Sequence, residues 1–191
     1  NTLGNARPIL IYLPPGYDGS SERYPVLYMH DGQNLFGPDA LFGGWRAAQT
    51  TDRLIASGEV RPFIIVGVGN TNRRMSEYMP EADGGRARAY GRFLTDELKP
   101  WVDGSLRTLP GREDTALCGS SLGGLVSLAI GWDRPDVFSQ VASLSGSFWL
   151  RGFVEDLERS SARPALRIWV DSCNQGNSAD SLENTLFVRD V

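Results

Sequence analysis

Lysine is nearly missing from this chain: Lys99 stands alone, and every other basic residue is an arginine. Acidic residues outnumber basic ones 23 to 19, for a net charge of −4, so no basic footprint is present to hold nucleic acid. No apolar run reaches the length of a membrane span, and no cationic-then-apolar leader opens the chain. The first residue is Asn1 rather than methionine, which leaves a removed leader open and the compartment, cytoplasmic or secreted, undecided. Cysteine is scarce too. Cys118 and Cys173 are too few for a disulfide framework and lack metal-ligand spacing, so free thiols are expected. No grouping of His, Cys and carboxylates has ligand spacing, so neither metal nor cofactor is expected. The scarcest residue of all is histidine, present once as His30.

What the chain does contain is core. With 41% apolar residues in 191, it suits one domain, and apolar runs of strand length alternate with segments of helical period. Strands are expected at 7–17 (stopped by Pro14-Pro15-Gly16), 24–32, 61–69, 115–120, 140–146 and 166–172. Helices are expected at 44–58, 89–106 (with Pro100 marking a kink or a second short helix), 121–133 and 181–191. The stretch 70–88 is polar, long and without period, and reads as a loop of the kind that is often functional. Alternation of strand and helix implies an α/β fold with a mainly parallel sheet and right-handed crossovers.

One junction carries chemistry. Gly119-Ser120-Ser121-Leu122-Gly123 fits G-x-S-x-G, a weak pattern alone, but an apolar strand precedes it and an apolar helix follows. That is the context of a nucleophile elbow. The flanking glycines clear the space where strand meets helix, and the helix start aims its N–H groups at a developing oxyanion. A hydroxyl needs a base and an orienting carboxylate, which in this arrangement follow the serine as acid and then histidine. Asp171, at the end of its strand, and Asp180, further out on the loop, are the candidate acids. No histidine follows them.

Several blocks in order extend the pattern: "LGNARPILIYLPPGY" (3–17), "YPVLYMHDGQNLF" (24–36), "IIVGVGNTNRRMSEYMP" (64–80), "GSSLGGLVSL" (119–128), "RPDVFSQVASLSGSFW" (134–149) and "VDSCNQGNSAD" (170–180). With them the chain resembles the esterase branch of the α/β-hydrolase superfamily. That branch holds siderophore esterases, feruloyl and acetylxylan esterases, and S-formylglutathione hydrolases. The resemblance implies an α/β-hydrolase fold with helices on both faces of the sheet. It implies Ser121 as nucleophile, the backbone N–H groups of Gly32 and Leu122 as the oxyanion hole, and Asp180 as the acid with Asp171 second. Cys173 stands where the family pattern has glycine. Relatives continue into a final strand and a histidine loop. The chain is therefore expected to be one domain over 1–191, incomplete at its C-terminus and at the start of its N-terminal hairpin, with the histidine encoded beyond Val191.

The function so implied is serine-dependent hydrolysis of a small-molecule or carbohydrate-linked ester, with no nucleic acid or membrane partner. Its rivals are a non-catalytic hydrolase-like binding domain, favoured by the missing histidine, and an acyltransferase on the same fold. His30 is expected to be structural, bonded to nearby loop backbone. Trp45, Phe148 and Trp149 are expected in the core rather than lining a pocket. Arg74 is expected to bridge to Glu77 and order its loop, and Asp31 to fix the turn beside Gly32.

Overall fold

A computed structural model describes residues 2–37, 40, 44–172 and 185–186. Within them six strands form one sheet in the order β1-β3-β2-β4-β5-β6. They are β1 (Ile9–Tyr12), β2 (Val26–His30), β3 (Ile64–Val68), β4 (Thr115–Ser120), β5 (Gln140–Leu144) and β6 (Arg167–Asp171). Only β1 runs antiparallel, against β3; all other pairs are parallel. Every expected strand is present, most of them trimmed by a few residues where prolines and glycines end the ladder.

The helices are α1 (Ala47–Ala56), α2 (Arg74–Tyr78), α3 (Ala87–Arg92), α4 (Lys99–Ser105), α5 (Leu122–Asp133) and α6 (Arg151–Arg159). Left-handed backbone at Gly44 (φ 70°) and Arg46 (φ 50°) keeps 44–46 out of α1. A π-helical turn, Phe93–Leu98, joins α3 to α4. Pro100, just inside α4, has no N–H to offer the preceding turn, and the wider turn takes up the mismatch. The stretch 70–88 is not a plain loop: it holds α2, a 3-10 turn (Glu81–Asp83) and the start of α3. Its period is hidden because one inward residue is Glu77, a carboxylate paired with the buried Arg7. Helix α6 was not expected, although Phe153, Val154 and Leu157 give it a buried stripe. Of the expected helix 181–191, Thr185 and Leu186 are helical and the rest lies outside the described residues.

The two faces of the sheet are covered unequally. One packs Val26, Tyr28, Ile64, Val66, Leu117 and Val141 beneath residues from α2 to α6. The other buries a smaller cluster of Tyr12, Met29, Leu35, Ile65 and Cys118 against the first turn of α1. The interior is firmest at β3, buried at all five positions. It thins toward β6, where Trp169 is 65% exposed. Phe148 is fully buried, as expected, but Trp45 (39%) and Trp149 (42%) are not core residues; each is exposed.

Candidate active site

Strand β4 and helix α5 meet at Ser121, the single residue between the Ser120 strand end and the Leu122 helix start. Making that corner forces Ser121 to φ 57°, ψ −123°, a conformation that side-chain-bearing residues avoid at a cost of about 1–3 kcal/mol. Close approach around it explains the glycines. A methyl group on Gly119 would lie 2.4 Å from the Gly123 carbonyl oxygen, and one on Gly124 would lie 2.7 Å from Ser143 Oγ. Four backbone bonds hold the corner: Ser121 N–H to Leu144 O (3.0 Å), and the N–H groups of Gly124 (3.0 Å), Leu125 (3.1 Å) and Ser147 (3.1 Å) to Ser121 O. The side chain is held too, with Ser147 Oγ 3.1 Å from Ser121 Oγ.

The end of β2 forms the facing wall. A methyl on Gly123 would sit 3.4 Å from both Asp31 Oδ2 and His30 Cβ, so this turn packs on the first turn of α5. Asp31 is left-handed (φ 55°, ψ 46°), and Gly32 after it opens a 3-10 turn through Asn34. Only glycine fits there, because a Cβ would lie 2.5 Å from the Gly67 carbonyl carbon on β3. Gly32 and Leu122 are each first in a helical turn, so neither N–H has an acceptor within its own turn.

A polar network braces this wall. Arg74 donates through Nε to Asp31 Oδ1 (2.8 Å) and through Nη2 to Asp31 Oδ2 (2.7 Å). Asn70 Nδ2 donates to Oδ1 (2.6 Å), and the Asp31 N–H donates to Tyr78 Oη (3.3 Å). Burial pushes the Asp31 carboxyl upward, but the bonds from Arg74 and Asn70 outweigh it and hold the group below its ordinary value. Asp31 therefore fixes the turn, as expected. The expected Arg74–Glu77 bridge does not form. Asn5 and Arg7 take up Glu77 instead, the latter at 2.8 Å, since a buried carboxylate on α2 faces inward while Arg74 lies toward the turn. Nothing in the spacing of Arg74 and Asp31, 43 residues apart, announces their pairing.

His30 is 2% exposed, with Nδ1 3.0 Å from Tyr90 Oη and Nε2 buried without a partner among the described residues. Its partner is a tyrosine rather than the loop backbone. Burial drives its pKa down to about 4, so the ring is neutral and has no route to a substrate proton. Asp171, at the end of β6, has Oδ1 2.9 Å from the Ser145 N–H, capping the β5 turn. Asp180 and Cys173 lie outside the described residues. Cys118 is a buried free thiol whose pKa burial raises to about 12. Among the described residues no group of three or more His, Cys, Asp or Glu could hold a metal ion.

Comparison with known proteins gives the family and the fold. The family model described as "Putative esterase" matches residues 1–190, and the chain belongs to that family. An IroE-like serine hydrolase from Shewanella oneidensis shares the fold at a TM-score of 0.74 and 23% identity, over 99% of this chain and 75% of its own. The enterobactin esterase FES of Shigella flexneri, solved in the presence of 2,3-dihydroxy-N-benzoyl-serine, matches at a TM-score of 0.71 and 25% identity. That match covers 87% of this chain and 42% of FES. An endo-1,4-beta-xylanase/feruloyl esterase of Xylanibacter ruminicola is 32% identical over 160 residues, which is 81% of this chain and 22% of that protein. The mainly parallel sheet with helices on both faces is thus an α/β-hydrolase fold.

Proposed function

We propose that Ser121 is the nucleophile of a serine esterase acting on small-molecule or carbohydrate-linked carboxylic esters. Family membership and the ester-hydrolase relatives support ester hydrolysis. The observation that carries the serine mechanism is the strained backbone of Ser121 at the β4–α5 corner. Strain of about 1–3 kcal/mol persists only where its surroundings enforce it, and here it lifts the hydroxyl above the carboxyl edge of a parallel sheet.

In this reading Ser121 Oγ attacks the ester carbonyl and the N–H groups of Gly32 and Leu122 receive the oxyanion. Each such donor is worth about 3 kcal/mol of barrier. The proton goes to a histidine beyond Val191, since neutral, buried His30 cannot take it. Asp180 orients that imidazole. Asp171 is the weaker candidate, because it is engaged with the Ser145 N–H. The relatives suggest phenolic acyl esters, of the feruloyl or dihydroxybenzoyl-serine kind, as the first substrates to try.

The decisive experiment treats the protein with a fluorophosphonate probe and maps the adduct, alongside turnover of p-nitrophenyl acetate. Labelling at Ser121, lost in Ser121→Ala together with turnover, is the expected result. Labelling that survives in Ser121→Ala refutes the assignment. Absence of both labelling and turnover in the intact protein favours the non-catalytic reading, and product transfer to an added sugar favours acyl transfer.

A further inference from the structure

Ser147 is 1% exposed and bonded to the corner twice, its N–H to Ser121 O and its Oγ to Ser121 Oγ, both at 3.1 Å. A buried hydroxyl has one hydrogen to place, and the only side-chain partner for Ser147 Oγ among the described residues is Ser121 Oγ. The geometry lets either oxygen donate, and the need to place the buried Ser147 hydrogen favours Ser147 as the donor.

We propose that Ser147 is a second catalytic hydroxyl, a donor to Ser121 Oγ that acts chiefly when the acyl-enzyme is broken down; this rests on Ser121 being the nucleophile. In acylation the donated bond works both ways. It eases loss of the Ser121 proton to the base, yet it draws electron density from the attacking oxygen. In deacylation both effects favour reaction. Water adds to the acyl carbonyl and gives a proton to the base. The tetrahedral oxyanion then collapses, the carbonyl re-forms, and the C–Oγ bond breaks with its electron pair left on Ser121 Oγ. The protonated base returns its proton to that oxygen. While the pair accumulates there, Ser147, which keeps its own proton throughout, donates a hydrogen bond to an increasingly anionic acceptor, the kind that strengthens most.

The test follows the acetyl-enzyme directly, by intact mass, after a pulse of p-nitrophenyl acetate, in the protein as its gene encodes it. In Ser147→Ala the acetyl group should form on Ser121 but decay about ten- to a hundredfold more slowly. Steady-state kcat and KM should then fall together while kcat/KM stays within about threefold, a split that mere loosening of the corner would not produce. Ser147→Thr, which keeps the hydroxyl, should restore the decay. If threonine does not fit, Ser147→Gly supplies a second deletion expected to match alanine. Acetyl-enzyme decay at the parent rate in Ser147→Ala, or a fall in kcat/KM as large as that in kcat, overturns the proposal. A parent protein that takes no acetyl group on Ser121 refutes the nucleophile assignment instead, and does so before any variant is made.

Discussion

Arg74 closes on Asp31 as a fork, two nitrogens on two oxygens at 2.8 and 2.7 Å, and so ties α2 to the turn that carries Gly32. Removing one half leaves a largely buried carboxylate to be accommodated. Arg74→Ala should cost about 1.5–3 kcal/mol of stability, seen as a fall of roughly 4–10 °C in Tm. It should also lower kcat for any ester the protein hydrolyses, because Gly32 is no longer held. Arg74→Lys keeps the charge but not the fork, and should recover less than half of either loss. An Arg74→Ala protein that melts and turns over like the parent would show that the turn holds itself.

The corner at Ser121 makes a comparison of two variants informative. Ser121→Ala and Ser121→Gly both delete the hydroxyl, yet only glycine accepts φ 57° without strain. Urea denaturation should therefore find Ser121→Gly more stable than Ser121→Ala by about 1 kcal/mol. Equal midpoints would mean that the corner carries no strain.

Glycines elsewhere should separate by what a methyl would meet. Gly119→Ala drives a Cβ to 2.4 Å from the Gly123 carbonyl oxygen and should cost more than about 3 kcal/mol or prevent folding. Gly104, inside α4, has open space around it, and Gly104→Ala should stabilise by about 0.5–1 kcal/mol. Thermal melts of the two variants check both signs.

His30 predicts a pH dependence. Folded, it takes a proton only near pH 4. Unfolded, it does so near its ordinary pKa of about 6.5. Between these the unfolded chain binds more protons, so stability is full above about pH 6.5 and declines as pH falls toward 4, by on the order of 3 kcal/mol. Denaturant titrations at pH 7 and 4.5 should show that decline in the parent and much less of it in His30→Gln. An equal slope in both proteins would mean that the ring is charged in the fold.

Cys118 should be inert. With its thiol buried and its pKa raised to about 12, it should resist iodoacetamide in the native protein at pH 8 and react after denaturation. Peptide mapping reads that residue by itself.

These features were unequally legible in the sequence. Strand β4 and helix α5 are continuous apolar runs with a glycine-framed serine at their junction, so local composition announces both elements and the corner. Strands β2 and β3 read the same way, because parallel strands covered on both faces need no alternation. Helix α6 hid behind six charged or glycine residues around its short stripe at Phe153, Val154 and Leu157. The bracing of the site was illegible for another reason. Which carboxylate Arg74 reaches, and which hydroxyl touches Ser121, depends on elements 43 and 26 residues distant that only the folded sheet brings near. Arg74 and Glu77 are neighbours on one short helix, yet each has a partner elsewhere.

The unequal cover of the sheet gives the two flanks of Ser121 different mechanical character. On one side lie β2 and the fully buried β3, clamped between neighbours. On the other lie β5 and then β6, exposed at four of its five positions and paired on one edge only within the described residues. Amide exchange should be slowest through Ile64–Val68 and fastest through Arg167–Asp171, with the Ser121 amide on the boundary.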